Sequence, residues 1–207
     1  MVQIQETGQT GHKARALALI RSKPVIRTRD FSDAGIPRNY LQRLTNDGVL
    51  VQICRGLYEA ADRQLSPGGS LAEVALWSPR ATIALLSALQ LHELTTQAPH
   101  EIWLLLGLRD WVPSRTSTSL QIVRASGEAL TAGIEERVID GVTVHLTNPA
   151  KTIADCFKYR SKIGVDVAIE ALRDGLKRKV ATVDQLWHYG KICRVQTFMR
   201  PYLQAMT

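Results

Sequence analysis

Between Pro37 and Gly48 the chain runs Arg38, Asn39, Tyr40, Leu41, Gln42, Arg43, Leu44, Thr45, Asn46. Arginine offers two parallel N–H donors that match O6 and N7 of guanine, and the amides of Asn and Gln match N6 and N7 of adenine. Arg38, Asn39 and Gln42 are therefore the residue types that read base edges in a major groove. Wound as a helix with Tyr40, Leu41 and Leu44 toward a core, the segment leaves Arg38, Asn39, Gln42, Thr45 and Asn46 outward, with Arg43 at the flank. No acidic residue lies between Arg38 and Asn46, so the outward face is cationic and suits a phosphate-lined groove. Arg55, in Arg55-Gly56, is a second contact residue, placed to reach a phosphate or a narrow minor groove. Lys13, Arg15, Arg27 and Arg29 suit phosphate or solvent better than base edges.

Other chemistries find less support. His92-Glu93 and His100-Glu101 do not make the H-E-x-x-H spacing, and Pro99 breaks any helix that would carry one pair to the other. No metal site is expected. Nuclease chemistry would need carboxylates clustered with a lysine on neighbouring strands, and no such set occurs. There is no Gly-rich phosphate loop and no G-x-S-x-G, so neither a cofactor nor an enzymatic activity is expected. Cys54, Cys156 and Cys193 are far apart and include no C-x-x-C pair; they read as small apolar residues in a reducing compartment. Asp155 with Lys158 and Lys162, and Asp174 with Lys177 and Arg178, are spaced as ion pairs on solvent faces of helices.

The elements that must position the candidate helix follow from local signals. His12 to Lys23 puts Ala14, Leu17, Ala18 and Arg21 on one helical stripe with Ile20 beside it, and Pro24 stops it. Val25-Ile26-Arg27 is short and extended; Thr28 or Asp30 can cap a brief second helix that ends at Gly35. Pro37 then opens the third helix and Gly48 closes it. Leu50 to Ile53 and Leu57 to Ala60 form a hairpin. Helix, short strand, helix, turn, helix, hairpin is the winged helix-turn-helix layout.

Leu65 to Ser70 is the one concentrated Pro/Gly/Ser stretch, which divides the chain into a DNA-binding domain over 1–65, a linker at 66–70 and a larger domain over 71–207. In the latter, Leu71 to Trp77 reads as a short helix and Arg80 to Leu94 as a longer buried one. Strands are expected at Ile102 to Leu106, Leu120 to Val123, Arg137 to Ile139 and Val142 to Leu146, the last two joined by Asp140-Gly141. Helices follow from Asn148-Pro149 to Arg160, from Gly164 to Arg178, near Gln185 to Gly190 and from Val195 to Met206. The fold class is α+β: a winged helix-turn-helix followed by a mixed α/β domain with a small sheet packed on helices.

Bulk properties agree with a nucleic-acid partner. The net charge is +7 over 207 residues with 45% apolar content, a globular chain biased toward polyanions. Residues 1–65 hold ten Lys/Arg against six Asp/Glu, and the longer remainder sixteen against thirteen, so the first third is the denser cation. The N-terminus lacks a basic patch followed by an apolar run, and Ala81 to Leu91 is too short for a membrane helix of ~20 residues. A cytoplasmic location away from membranes is expected.

Several of these residues also carry a family resemblance. Arg38 to Leu44, Gly48-Val49-Leu50 and Arg55-Gly56-Leu57-Tyr58 look like the N-terminal unit of the AbiEi-type antitoxins of bacterial type IV toxin–antitoxin operons. Ser87 to Thr95, Pro99 to Trp103, and Thr147 to Arg160 running into Gly164 to Arg173 resemble their second domain. The resemblance implies a transcriptional autorepressor on double-stranded operator DNA with inverted repeats. It also implies an antitoxin that opposes a nucleotidyltransferase-like toxin without needing a stable complex. Gly107 to Leu130, with Arg109, Trp111, Arg115 and Arg124, does not align with the family. Lys177, Arg178 and Lys179 with Lys191, Arg194 and Arg200 form a basic C-terminal region containing one acid, Asp184, which suits either a solvated surface or contact with DNA or the toxin's RNA substrate. The competing readings are a winged-helix protein adaptor that binds no DNA and, more weakly, a metal-dependent nuclease.

Overall fold

Cα proximity divides the chain into two units: residues 1–69 with Ile139–Val142, and residues 70–138 with Thr143–Thr207. The computed structural model describes residues 4–23, 25–54, 56–62, 69–112 and 118–206. The linker expected at 66–70 falls mostly outside them.

The first unit is a winged helix-turn-helix. Its order is α1 (Ile4–Ser22), β1 (Ile26–Arg27), α2 (Thr28–Asp33), α3 (Arg38–Asn46), β2 (Leu50–Cys54) and β3 (Leu57–Ala60). The strands form an antiparallel sheet in the order β1-β3-β2, with Ile26 opposite Tyr58 and Val51 opposite Glu59. Register shifts between Gln52 and Cys54, so β2 carries a bulge just before the wing tip. Ala16, Ile26, Phe31, Ile36, Leu41, Leu44 and Leu50 make the core, and each large apolar side chain buried there contributes about 1.5–3 kcal/mol.

The α1 stripe is corrected. Ala14, Ala18 and Arg21 are exposed, and Ala16 is the buried residue, with Leu19 and Ile20 partly buried against the same cluster. Alanine at 14, 16 and 18 gives a weak periodic signal, so tertiary contact chose the face. The α2 cap is corrected too. The N-cap is Arg27, and Asp30 reaches back from the third helical position to accept the Arg27 backbone N–H at 2.6 Å.

Both ends of the helix-turn-helix are closed by the same device. Gly35 has φ +66°, the Ile36 N–H donates to the Phe31 carbonyl at 2.8 Å, and the Gly35 N–H donates to the Ser32 carbonyl. Ile36 packs with Phe31 in the core, the apolar contact of a Schellman turn. Gly48, at φ +70°, repeats the arrangement with Val49 donating to the Leu44 carbonyl at 2.9 Å.

The second unit is a five-stranded mixed sheet with helices. It contains α4 (Gly69–Trp77), β4 (Thr82–Ile83), α5 (Leu85–Leu91), β5 (Ile102–Gly107), β6 (Leu120–Ala125), α6 (Glu128–Thr131), β7 (Ile134–Ile139) and β8 (Val142–Thr147). Then come α7 (Pro149–Lys158), α8 (Arg160–Ile163), α9 (Val165–Lys177), α10 (Val183–Ile192) and α11 (Gln196–Met206). Strand order is β6-β5-β4-β8-β7, with β4 antiparallel to β5 and parallel to β8. Asp140 and Gly141 both have positive φ, the backbone a two-residue type I′ turn requires.

The long helix expected over Arg80 to Leu94 is not formed. Thr82–Ile83 is the central strand β4, Ala84 is extended, and only Leu85–Leu91 is helical. The Ala84 N–H donates to the Trp103 carbonyl at 3.0 Å, and the Trp103 N–H donates to Ser87 Oγ at 3.0 Å. Ala81 through Leu85 are all buried, and a run buried on every side carries no periodicity to separate strand from helix.

Helix α7 lies in the middle of this unit, with Ala150 through Phe157 all buried. Asn148 caps it by accepting the Lys151 backbone N–H at 2.9 Å. The reading of Asp155 as a solvent-face residue is overturned. Lys151 is 0% and Asp155 1% exposed, and Lys151 Nζ sits 2.5 Å from Asp155 Oδ2. Cys193 Sγ–H donates to the other carboxylate oxygen at 3.2 Å. Burial, then the negative charge of Asp155, pushes the Cys193 thiol up to about 12. Cys156 and Cys193 are both free and buried. The pairing of Asp174 with Arg178 is also replaced, because the Arg178 guanidinium turns to Glu93 and to the carbonyls of His92 and Glu93.

Candidate nucleic-acid interface

Helix α3 starts at Arg38 because Pro37, extended at ψ 147°, serves as its N-cap. Leu41 and Leu44, 4% and 5% exposed, fix its inner face. Arg38, Asn39, Gln42, Arg43 and Asn46 are exposed, and Thr45 is half-buried. Arg38, Asn39 and Gln42 thus share one outward surface over the first turns of the helix. This is the end that helix-turn-helix motifs direct at base edges.

These side chains are restrained only lightly. Gln42 Nε2 donates to Asn46 Oδ1 at 3.2 Å, and Arg43 Nε lies 3.7 Å from Asp47 Oδ2 with both groups largely in solvent. Exposed contacts of this kind are worth a few tenths of a kcal/mol, so a partner offering better geometry displaces them at small cost. Thr45 differs: its hydroxyl donates to the Leu41 carbonyl at 3.0 Å, leaving the oxygen as an acceptor.

Arg15 and Asp30 steady the frame around α3. The Arg15 guanidinium reaches the Ala34 carbonyl at 3.4 Å, which ties α1 to the turn before α3. Asp30 accepts Lys23 Nζ at 2.6 Å as well as the Arg27 N–H. Burial alone would raise the Asp30 carboxyl; these hydrogen bonds outweigh it and hold the group below its ordinary value. Arg55 lies outside the described residues. Its neighbour Gly56, at φ +81°, accepts the Thr28 backbone N–H at 2.9 Å, so the start of α2 holds the hairpin tip.

The second basic group does not form one patch. Lys191 and Arg194 line a cleft of about 770 Å³ together with Lys158, His188 and Arg124. Lys177 instead lines a separate shallow depression with Arg173, Leu176 and Met206. Arg178 is engaged by Glu93, and Lys179 is exposed at the end of α9. Spacing in sequence gave no signal of this division, because α9 and α10 carry their cations to different places.

His92 and His100 also part company. His92 Nε2–H donates to the Thr147 carbonyl at 2.7 Å, joining the end of α5 to the end of β8. Burial lowers its pKa below the usual imidazole value, against the Thr147 hydrogen bond and the nearby Glu135, which favour the proton. His100 is exposed. Among the described residues no group of three or more His, Cys, Asp or Glu is placed to hold a metal ion, and no helix is long and apolar enough to cross a membrane.

Comparison with known proteins bears on the first unit most directly. Residues 14–61 match a family model described as a transcriptional regulator, AbiEi antitoxin. Among solved structures, the chain is similar to the crystal structure of the Rv2827c protein from Mycobacterium tuberculosis, with a TM-score of 0.62 and 17% identity. That match covers 86% of this chain and 70% of the other; at such identity it speaks for the fold. No curated protein matches the sequence. Over residues 14–61, then, the resemblance read from Arg38 to Tyr58 is that of an AbiEi-antitoxin type of transcriptional regulator.

Proposed function

We propose that this chain is a sequence-specific transcriptional autorepressor and the antitoxin of a type IV toxin–antitoxin system, opposing a nucleotidyltransferase-like toxin. The observation that carries the DNA-binding part is the outward face of α3: Arg38, Asn39 and Gln42 exposed together, with no acid before Asp47. In this reading the first turns of α3 enter the major groove of operator repeats, and Arg55 at the wing tip reaches the backbone. The family match over residues 14–61 supports it independently of the geometry. The antitoxin part rests on that match and on the resemblance of the second unit. It needs no catalytic group and places the protein in the cytoplasm.

The test is a gel shift on the protein's own promoter across a salt series. Arg38→Ala and Gln42→Ala each remove a potential base contact worth about 1–3 kcal/mol, so operator affinity falls by roughly 5- to 150-fold while the thermal melt is unchanged. Parent-like operator binding by both variants would refute the reading. Co-expression with a neighbouring nucleotidyltransferase-like gene tests the antitoxin part: growth arrest that this chain does not relieve refutes that half alone.

A further inference from the structure

The cleft in the second unit is walled by the C-terminal end of α10, the C-terminal end of α7 and the segment between β6 and α6. Four side chains with fixed positive charge line it, Arg124, Lys158, Lys191 and Arg194, against one acid, Glu128. Arg124 is already spent: its guanidinium donates to the carbonyls of Gly107 and Asp110, which shapes the turn that carries Leu108 to the rim. Lys191 and Arg194 have no ion-pair partner among the described residues, and Lys158 has only the Tyr159 ring, 5.3 Å from its Nζ. Three cations therefore converge on one concavity whose described lining holds a single acid, Glu128, an arrangement whose net positive potential favours an anionic occupant.

Two further features narrow the ligand. Arg194 follows α10 with φ +58°, where glycine is the preferred residue; a long cation stands at a backbone position that disfavours any side chain. Leu108, 65% exposed, is part of the lining and leaves the turn that Arg124 holds. Apolar surface beside a cationic groove suits a single strand, whose bases pack on the one while its phosphates meet the other. A void of about 770 Å³ is within the size range of small-ligand sites, enough to take a short piece of one strand.

We propose that this cleft binds the phosphates of a single-stranded nucleic acid through Lys158, Lys191 and Arg194. The site uses no residue of α3 and does not depend on the operator reading. The experiment uses the full chain carrying Arg38→Ala and Gln42→Ala, so that α3 is not the binding surface. It measures the fluorescence anisotropy of a labelled oligouridylate between about 50 and 200 mM salt. Three neutralised phosphates give a slope of log K against log salt of about −2, since each contributes about −0.7 on a single strand. Adding Lys191→Gln and Arg194→Gly lowers the slope to about −0.7 and weakens binding at least tenfold at the lowest salt. Arg194→Gly alone weakens binding while leaving the melting temperature equal or higher, because glycine relieves the backbone. The proposal is overturned if the Lys191→Gln, Arg194→Gly protein keeps the parent's affinity and slope, or if a duplex of equal length competes as well as the strand.

Discussion

Changing Asp155 to alanine would leave the Lys151 ammonium, fully buried and 2.5 Å from its only carboxylate, without a counter-charge in the middle of α7. Removing one member of a buried pair costs about 3–5 kcal/mol, since the survivor keeps its desolvation penalty and loses its partner. The Cys193 thiol would also lose the acceptor of its hydrogen bond, adding about 0.5–1.5 kcal/mol. Replacing both members with apolar residues, Lys151→Met with Asp155→Leu, removes the buried charge and leaves only the lost Cys193 hydrogen bond, so it should cost far less than the sum of the singles. Urea unfolding followed by tryptophan fluorescence, with Trp77, Trp103, Trp111 and Trp187 all in the second unit, reads the effect. With m of about 2 kcal/mol/M, Asp155→Ala lowers the midpoint by about 1.8–3.3 M, and the double variant recovers most of it. Losses below about 1 kcal/mol for Asp155→Ala, the size of an exposed pair, would refute the burial argument. Strict additivity of the two sites would refute the pairing.

Two smaller expectations accompany it. Gly35→Ala forces a side chain onto φ +66° with its Cβ 3.1 Å from Arg15 Nη1; it should cost about 1–2 kcal/mol and lower the melting temperature of the first unit, and an unchanged melt would refute the Schellman assignment. Burial lowers the His92 pKa in the folded chain, so as pH falls the unfolded state binds the proton first. Its contribution to stability is complete above about pH 6.5 and is lost as pH falls through the lower folded value. Urea midpoints measured from pH 8 to 5 should fall less steeply for His92→Gln than for the parent, and equal slopes would exclude His92 as the cause.

Much of the helix-turn-helix was legible because its signals are local. Gly35 and Gly48 end helices through hydrogen bonds spanning five residues, Asp140-Gly141 makes its own turn, and Asn148 caps α7 from three residues away. The exposed face of α3 was legible for the same reason: Leu41 and Leu44 at helical spacing leave one side for Arg38, Asn39 and Gln42. Spacing alone does not distinguish that face from a solvated surface; its residue types suggested a DNA reader, and the family resemblance supported the same reading.

What the residues could not reveal by themselves is whatever depends on which elements meet. The strand at Thr82–Ile83 is buried between β5 and β8, and burial on all sides erases the alternation that marks a strand. Lys151 and Asp155 have the spacing of a surface ion pair; only the elements packed around α7 make them an interior one. Lys158, Lys191 and Arg194 come from α7 and from the end of α10, and no pattern along the chain brings them into one cleft. Sequence determines structure over a helical turn or a hairpin, where the interacting groups are neighbours; charge burial and cleft formation are set by contacts between distant segments, and so by the tertiary fold alone.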